Sequence, residues 1–326
     1  MLGCYQRRGT FDPSRTGADR TPDCDRCCQM RLESTAAATS IDAATNAAIA
    51  AGFFVFFAGM FRFSWKYCLQ HNPKFPDFSP AEKADWCSRI NSTIHAIVIV
   101  AGVVYAICVI HWDKDYLPMS SIQPACTVFS IAIGYFLFDL IVVIAWPVPM
   151  QSVFVIHHVV AVVPYIINNF VSACTGCQFG LLLFLLVEIA TLPLNARGFM
   201  ESMGHHDSLS HTRSIYATYV TWAVTRTLLP VYLLYVFWSF SYPADKDDNV
   251  CFYPNLICAH IIAAFCVGVF CFVHTPELVH RWKAVVENVA PTTVQDASDP
   301  VVAPHPTKQY KANLVNDNYT AHCDEA

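Results

Sequence analysis

The chain has 326 residues, of which 55% are hydrophobic and only 14% charged, with a formal net charge of −5. A soluble domain carries nearer a quarter charged residues, so this composition points to an all-α, polytopic membrane protein and excludes an ordinary soluble enzyme. The longest basic run is Arg7-Arg8, which leaves no footprint for nucleic acid.

Residues 1–42 hold six Arg and six acidic residues and no long apolar run. That balance argues against a mitochondrial transit peptide, and the missing apolar run against a cleaved signal peptide. The segment reads as a disordered extension. Its Cys24-x-x-Cys27-Cys28 is at best half a zinc site. Seven apolar stretches follow, each near the ~20 residues that cross a bilayer. The first, Ala43 to Phe61, ends in Arg62, Trp65, Lys66 and Tyr67, an interfacial anchor cluster. Residues 43–78 form this span and a loop. Ser79-Pro80-Ala81-Glu82 has the pattern of a capping box with proline at the first helical position. It predicts one helix from Ser79 to Ile110.

The third span, Ile122 to Trp146, stops at Pro147-Val148-Pro149, which cannot continue a helix. The fourth is Val153 to Phe170, the fifth Phe179 to Leu194, the sixth Tyr216 to Phe240 and the seventh Pro254 to Val273. The remaining 285–326 reads as a disordered tail. Lys66, Lys74, Lys83, Arg89, Arg197, Arg213, Arg281 and Lys283 fall on one side of such a bundle; Arg26, Arg31, Lys114 and Lys246 fall on the other. The positive-inside rule then places the C-terminus in the cytosol and the N-terminus in a lumen. On that topology the sequons at Asn91 and Asn318 are unused. Cys174-Thr-Gly-Cys177 lies in a lumenal loop, where a local disulfide and two small apolar side chains are both open readings.

From Asp115 to Ala196 there is no Lys or Arg, yet His157 and His158 sit within the fourth span. Ionisable groups are expensive in hydrocarbon and usually face a bundle interior. Adjacent helical residues differ by ~100° in direction, so both imidazoles can line one half of the bundle. With Asp139, Glu188 and Arg226 they form the candidate site, Arg226 being placed to pair with Glu188. In an acyl transfer one His would act as base and the other would stabilise the oxyanion. The same residues also read as structural: His and Asp139 as helix-joining hydrogen-bond partners, and Arg226 with Glu188 as a buried pair. Asn195 and Arg197 stand at a helix end, where Arg often snorkels. His205, His206 and His211 read as a solvated loop cluster, and no metal spacing is present.

Several of these motifs, taken in order, resemble one family. They are Trp86-x-x-Arg89-x-x-Ser92-Thr93-x-His95, Gly134-Tyr135-x-x-x-Asp139, Phe154-x-x-His157-His158, Leu185-Leu186-x-Glu188 leading to Asn195-x-Arg197, and Thr225-Arg226. Together they are similar to the TLC domain of ceramide synthases and translocation-associated TRAM proteins, and most similar to its type 4 branch. The resemblance covers Ser79 to Trp282, within a domain of residues 79–284. It implies a helical bundle of the endoplasmic reticulum that handles membrane lipids, with His157 and His158 as its catalytic candidates. Asp139, Glu188, Arg226, Asn195 and Arg197 would be lipid-binding or structural. Acyl-CoA would be a substrate if the protein transfers acyl groups; no cofactor is implied, and association into oligomers is left open. Ceramide synthases carry His-Asp-x-x-Asp one helix after the paired histidines. Here the region reads Leu186-Val187-Glu188-Ile189-Ala190, without either aspartate. The expectation is therefore a protein of lipid homeostasis that binds acyl chains. The alternatives are a His-dependent acyltransferase and a transporter or cargo adaptor.

Overall fold

The computed structural model describes residues 42–147, 151–171, 174–206 and 208–289. Seven helices in it are long and apolar enough to cross a membrane. They are α1 Ala43–His71, α2 Pro80–Val109, α3 Gln123–Ala145, α4 Gln151–Phe170, α5 Gln178–Ser202, α6 Leu209–Asp245 and α7 Phe252–Lys283. The expected seven-span, all-α architecture is the one found. Expectations placed on residues 1–41 and 290–326, including the cysteine cluster and the Asn318 sequon, lie outside the described residues. The described residues up to Arg281 form one compact unit; those from Trp282 belong to a second, whose described part is helical to Val289.

Local chemistry sets where the helices start. Asp42 caps α1 by accepting from the Thr45 amide at 3.0 Å. The Ser79/Glu82 capping box forms as anticipated: the Ser79 amide donates to Glu82 at 2.7 Å, and the Ser79 hydroxyl accepts from the Glu82 amide. Ser208 caps α6 through the His211 amide. Several helices outrun the spans read from hydropathy: α1 continues to His71, α5 to Ser202, and α6 begins at Leu209. Apolar length reports only what lies in hydrocarbon, whereas caps and turn residues decide where a helix stops. Gly204, at φ +75, provides the left-handed turn just past α5. His211 is consequently not a loop residue; it is buried in α6 and bonds Glu201 at 3.1 Å.

Three of these helices carry irregular turns. In α5, Leu185–Ala190 is 3₁₀, and in α6, Trp222–Leu228 and Phe237–Ser241 are π-helical, as is Phe270–His274 in α7. Each π stretch ends two residues before a proline, namely Pro230, Pro243 and Pro276. A proline cannot donate to the carbonyl four residues back and its ring clashes with that group, so the preceding turn widens.

Small and amide side chains hold the bundle together. A Cβ on Gly134 of α3 would lie 2.5 Å from the Ala50 carbonyl oxygen and 2.9 Å from the Phe54 nitrogen, so α1 and α3 touch backbone to backbone there. Buried Asn169 donates to Ser130 at 2.8 Å, and neighbouring Asn168 reaches Asn255 at 3.4 Å. Asn91 is fully buried and donates to the Phe57 carbonyl at 2.9 Å, which removes it as a glycan acceptor. Cys174 does not pair locally with Cys177. It forms a disulfide with Cys251, 77 residues away, while Cys177 stays a buried free thiol. The physical reason is proximity: Ser241 donates to the Gly176 carbonyl at 2.6 Å, which pulls the 174–177 turn onto the end of α6.

Candidate functional site

A cavity of about 420 Å³ opens at the end of the bundle opposite that disulfide. Its wall comes from the start of α2, the end of α3, the start of α4, the second half of α5, and Arg226 of α6. This is the side to which the Lys- and Arg-rich loops belong. Asp85, Arg89 and the exposed Phe154 stand at its mouth, and Val142, Val143 and Trp146 give it an apolar flank.

The polar end is a chain of hydrogen bonds across three helices. Ser88 donates to Asp139 Oδ1 at 2.6 Å, and Asp139 Oδ2 lies 2.7 Å from His158 Nε2. His158 Nδ1 lies 2.8 Å from the Phe154 carbonyl oxygen. A carbonyl only accepts, so Nδ1 carries a proton and donates it. One further proton then lies between Nε2 and Oδ2, and the pair is neutral overall whichever atom holds it. Both nitrogens of His158 are thereby occupied. His157 differs: its buried Nδ1 has no hydrogen-bond partner among the described residues, and its ring packs near Phe265 with centroids 5.3 Å apart. The two histidines, equivalent in the sequence, are unequal in the fold.

A second group joins α5 to α6. Glu188 sits on the 3₁₀ stretch and Arg226 on a π stretch, and irregular turns of both kinds recur at functional sites. Their direct approach is long, 3.8 Å. The hydroxyl of Thr191 links them, accepting from Arg226 at 2.7 Å and donating to Glu188 at 2.8 Å. Arg226 also donates to the Val187 carbonyl at 3.0 Å and stacks over Trp222, 4.7 Å from the ring centroid. Glu188, Arg226, Asp139 and His158 are all buried.

Of the other candidates, Asn195 lines the cavity and donates to the Arg89 carbonyl, Ser92 and Thr93 at 3.1, 3.2 and 3.1 Å. Arg197 lies outside it. Instead of snorkelling, it is paired with Glu201 at 2.6 Å and Glu277 at 2.7 Å, which ties α5 to α7. His95 is buried away from the cavity and stacks on Tyr135, ring centroids 3.8 Å apart. Ser88 and Thr191 were not singled out by the sequence reading. Both follow from helical periodicity: Asp85, Ser88, Ser92 and His95 form one polar stripe on α2, and Glu188, Thr191 and Asn195 form another on α5. Among the described residues, no group of three or more His, Cys, Asp or Glu is placed to hold a metal ion.

Residues 85–274, more than half the chain, match the family model described as the TLC domain of TRAM, LAG1 and CLN8 proteins. The chain belongs to the TLC domain family, as its motifs anticipated. Among its relatives, TLC domain-containing protein 4 C of Dictyostelium discoideum is 27% identical over 168 residues, 47% of this chain and 57% of that protein. Human TLC domain-containing protein 4 is 28% identical over 154 residues, 46% of this chain and 57% of that protein. The similarity thus spans little more than half the length of each relative. No solved structure matches the chain.

Proposed function

We propose that this protein binds a membrane lipid in the central cavity, polar group inward and acyl chain along the apolar flank, and so influences membrane lipid composition. The observation that carries this reading is the division of the cavity lining into a hydrogen-bonded polar group and apolar side chains that include the exposed Phe154. Its volume falls within the ~300–1,000 Å³ of ordinary ligand pockets. The occupied nitrogens of His158 weigh against the symmetrical roles of base and oxyanion donor that a His pair suggests. The membrane is that of the endoplasmic reticulum or a related compartment, with the C-terminus cytosolic. The Lys/Arg distribution supports this orientation, and so does a disulfide between the two loops assigned to the lumen.

A lipid with a photoreactive acyl chain tests the proposal in cells expressing the protein. Labelling of α3 and α4 is expected, and it should fall several-fold in Val143→Trp, which fills the cavity. Equal labelling of a folded Val143→Trp protein would sink the idea.

His157 supports a second reading, acyl transfer from acyl-CoA. Its free nitrogen would take the proton of a lipid amine or hydroxyl as that group bonds to the thioester carbon. Collapse of the tetrahedral adduct would then expel the CoA thiolate, which takes up the proton. This reading expects a discrete acylated lipid in whole-cell lipidomics that disappears in His157→Ala. A broad compositional shift that survives the substitution fits binding alone.

A further inference from the structure

A second cavity, of about 460 Å³, lies at the C-terminal end of α1, lined by Ala58, Phe61, Arg62, Trp65, Lys66 and Trp146. Arg62 and Lys66 are exposed and one helical turn apart. Neither has an ion-pair partner among the described residues. Like charges at this spacing repel each other, and a shared anion relieves that repulsion. Beneath them is an aromatic floor. Trp146 lies 5.6 Å from Phe61 and 6.2 Å from Trp65 between ring centroids.

This is amphipathic chemistry on one patch. A free anion would leave the floor unused, and a neutral hydrocarbon would leave the cations unused. We infer that the patch is a binding site for an anionic phospholipid. The phosphate sits between Arg62 and Lys66, and the adjoining chain lies against Phe61, Trp65 and Trp146. The end of α1 that carries it belongs to the side with the basic loops, and the cytosolic leaflet is where anionic lipids concentrate. The site stands whether or not the central cavity takes lipid. Trp146 lines both cavities, so a lipid held here is one side chain away from the central one.

Native mass spectrometry of the full chain in detergent tests this, with phosphatidic acid and chain-matched phosphatidylcholine as probes. Phosphatidic acid adducts are expected to dominate. Arg62→Gln and Lys66→Gln should each weaken them about five-fold, the usual contribution of one basic residue facing an anionic lipid. Lys83→Gln should leave them unchanged, and excess inorganic phosphate should not displace them. The inference is overturned by equal affinity for the two lipids, as simple snorkelling would give. Undiminished adducts in the Arg62 and Lys66 variants would also overturn it, as would displacement by phosphate, which would mark a site for a free anion. If Lys66→Gln does not fold, the comparison of Arg62→Lys with Arg62→Gln decides, the first retaining preference and the second losing it.

Discussion

Asp139 accepts from Ser88 on α2 with one oxygen and shares a proton with His158 on α4 through the other. Asparagine preserves both contacts, its oxygen facing Ser88 and its amide donating to a neutral Nε2. Alanine orphans a buried imidazole and a hydroxyl. Asp139→Ala is therefore expected to destabilise the protein by about 1–3 kcal/mol, with Asp139→Asn close to wild type, as read by thermal unfolding in detergent. Equal losses in the two variants would mean that the hydrogen bonds are not what holds this corner. Asn also removes the mobile proton, so activity lost in a stable Asp139→Asn protein would point to proton transfer. Asp139, His158, Glu188 and Arg226 are legible in the sequence because ionisable groups stand out in apolar spans. Ser88 and Thr191 were harder to see, since a hydroxyl in a membrane helix more often bonds its own backbone.

Helices α1 and α3 meet at Gly134, where any Cβ would strike the backbone of Ala50 and Phe54 and neither atom can swing aside. Gly134→Ala is expected to cost about 1–3 kcal/mol and Gly134→Leu more, because the helices must separate. Gly59 is the contrasting position on α1, with open space around it, and Gly59→Ala should be neutral. Thermal unfolding of the three variants checks the order. The irregular turns were not anticipated, although the chain carries a marker for them. Prolines at 230, 243 and 276 mark their places in the chain. That the widened turn before Pro230 would carry Arg226 to Thr191 depends on how α5 and α6 pack. Span boundaries were legible to within a few residues at most ends, and missed where capped helices run on into the interface.

The disulfide joins the α4–α5 connection to the α6–α7 connection, closing the bundle at the end away from the cavity. Burial pushes the neighbouring Cys177 thiol well above its ordinary pKa, so it stays protonated and is a poor nucleophile at neutral pH. Cys174→Ser and Cys251→Ser are expected to lower stability equally, by about 2–4 kcal/mol at most, and the double variant no further. Denatured, unreduced protein should gain one maleimide-reactive thiol in each single variant. Wild-type reactivity in both would remove the bridge. Seven spans, their order and the family were decided by the chain alone, because each depends on local apolar length against a ~30 Å hydrocarbon layer or on residues near one another in sequence. The partner of Cys174, the inequality of His157 and His158, and the bridge through Thr191 were decided by packing. Each depends on the approach of side chains from different helices, and helical spacing within one segment carries no record of that approach.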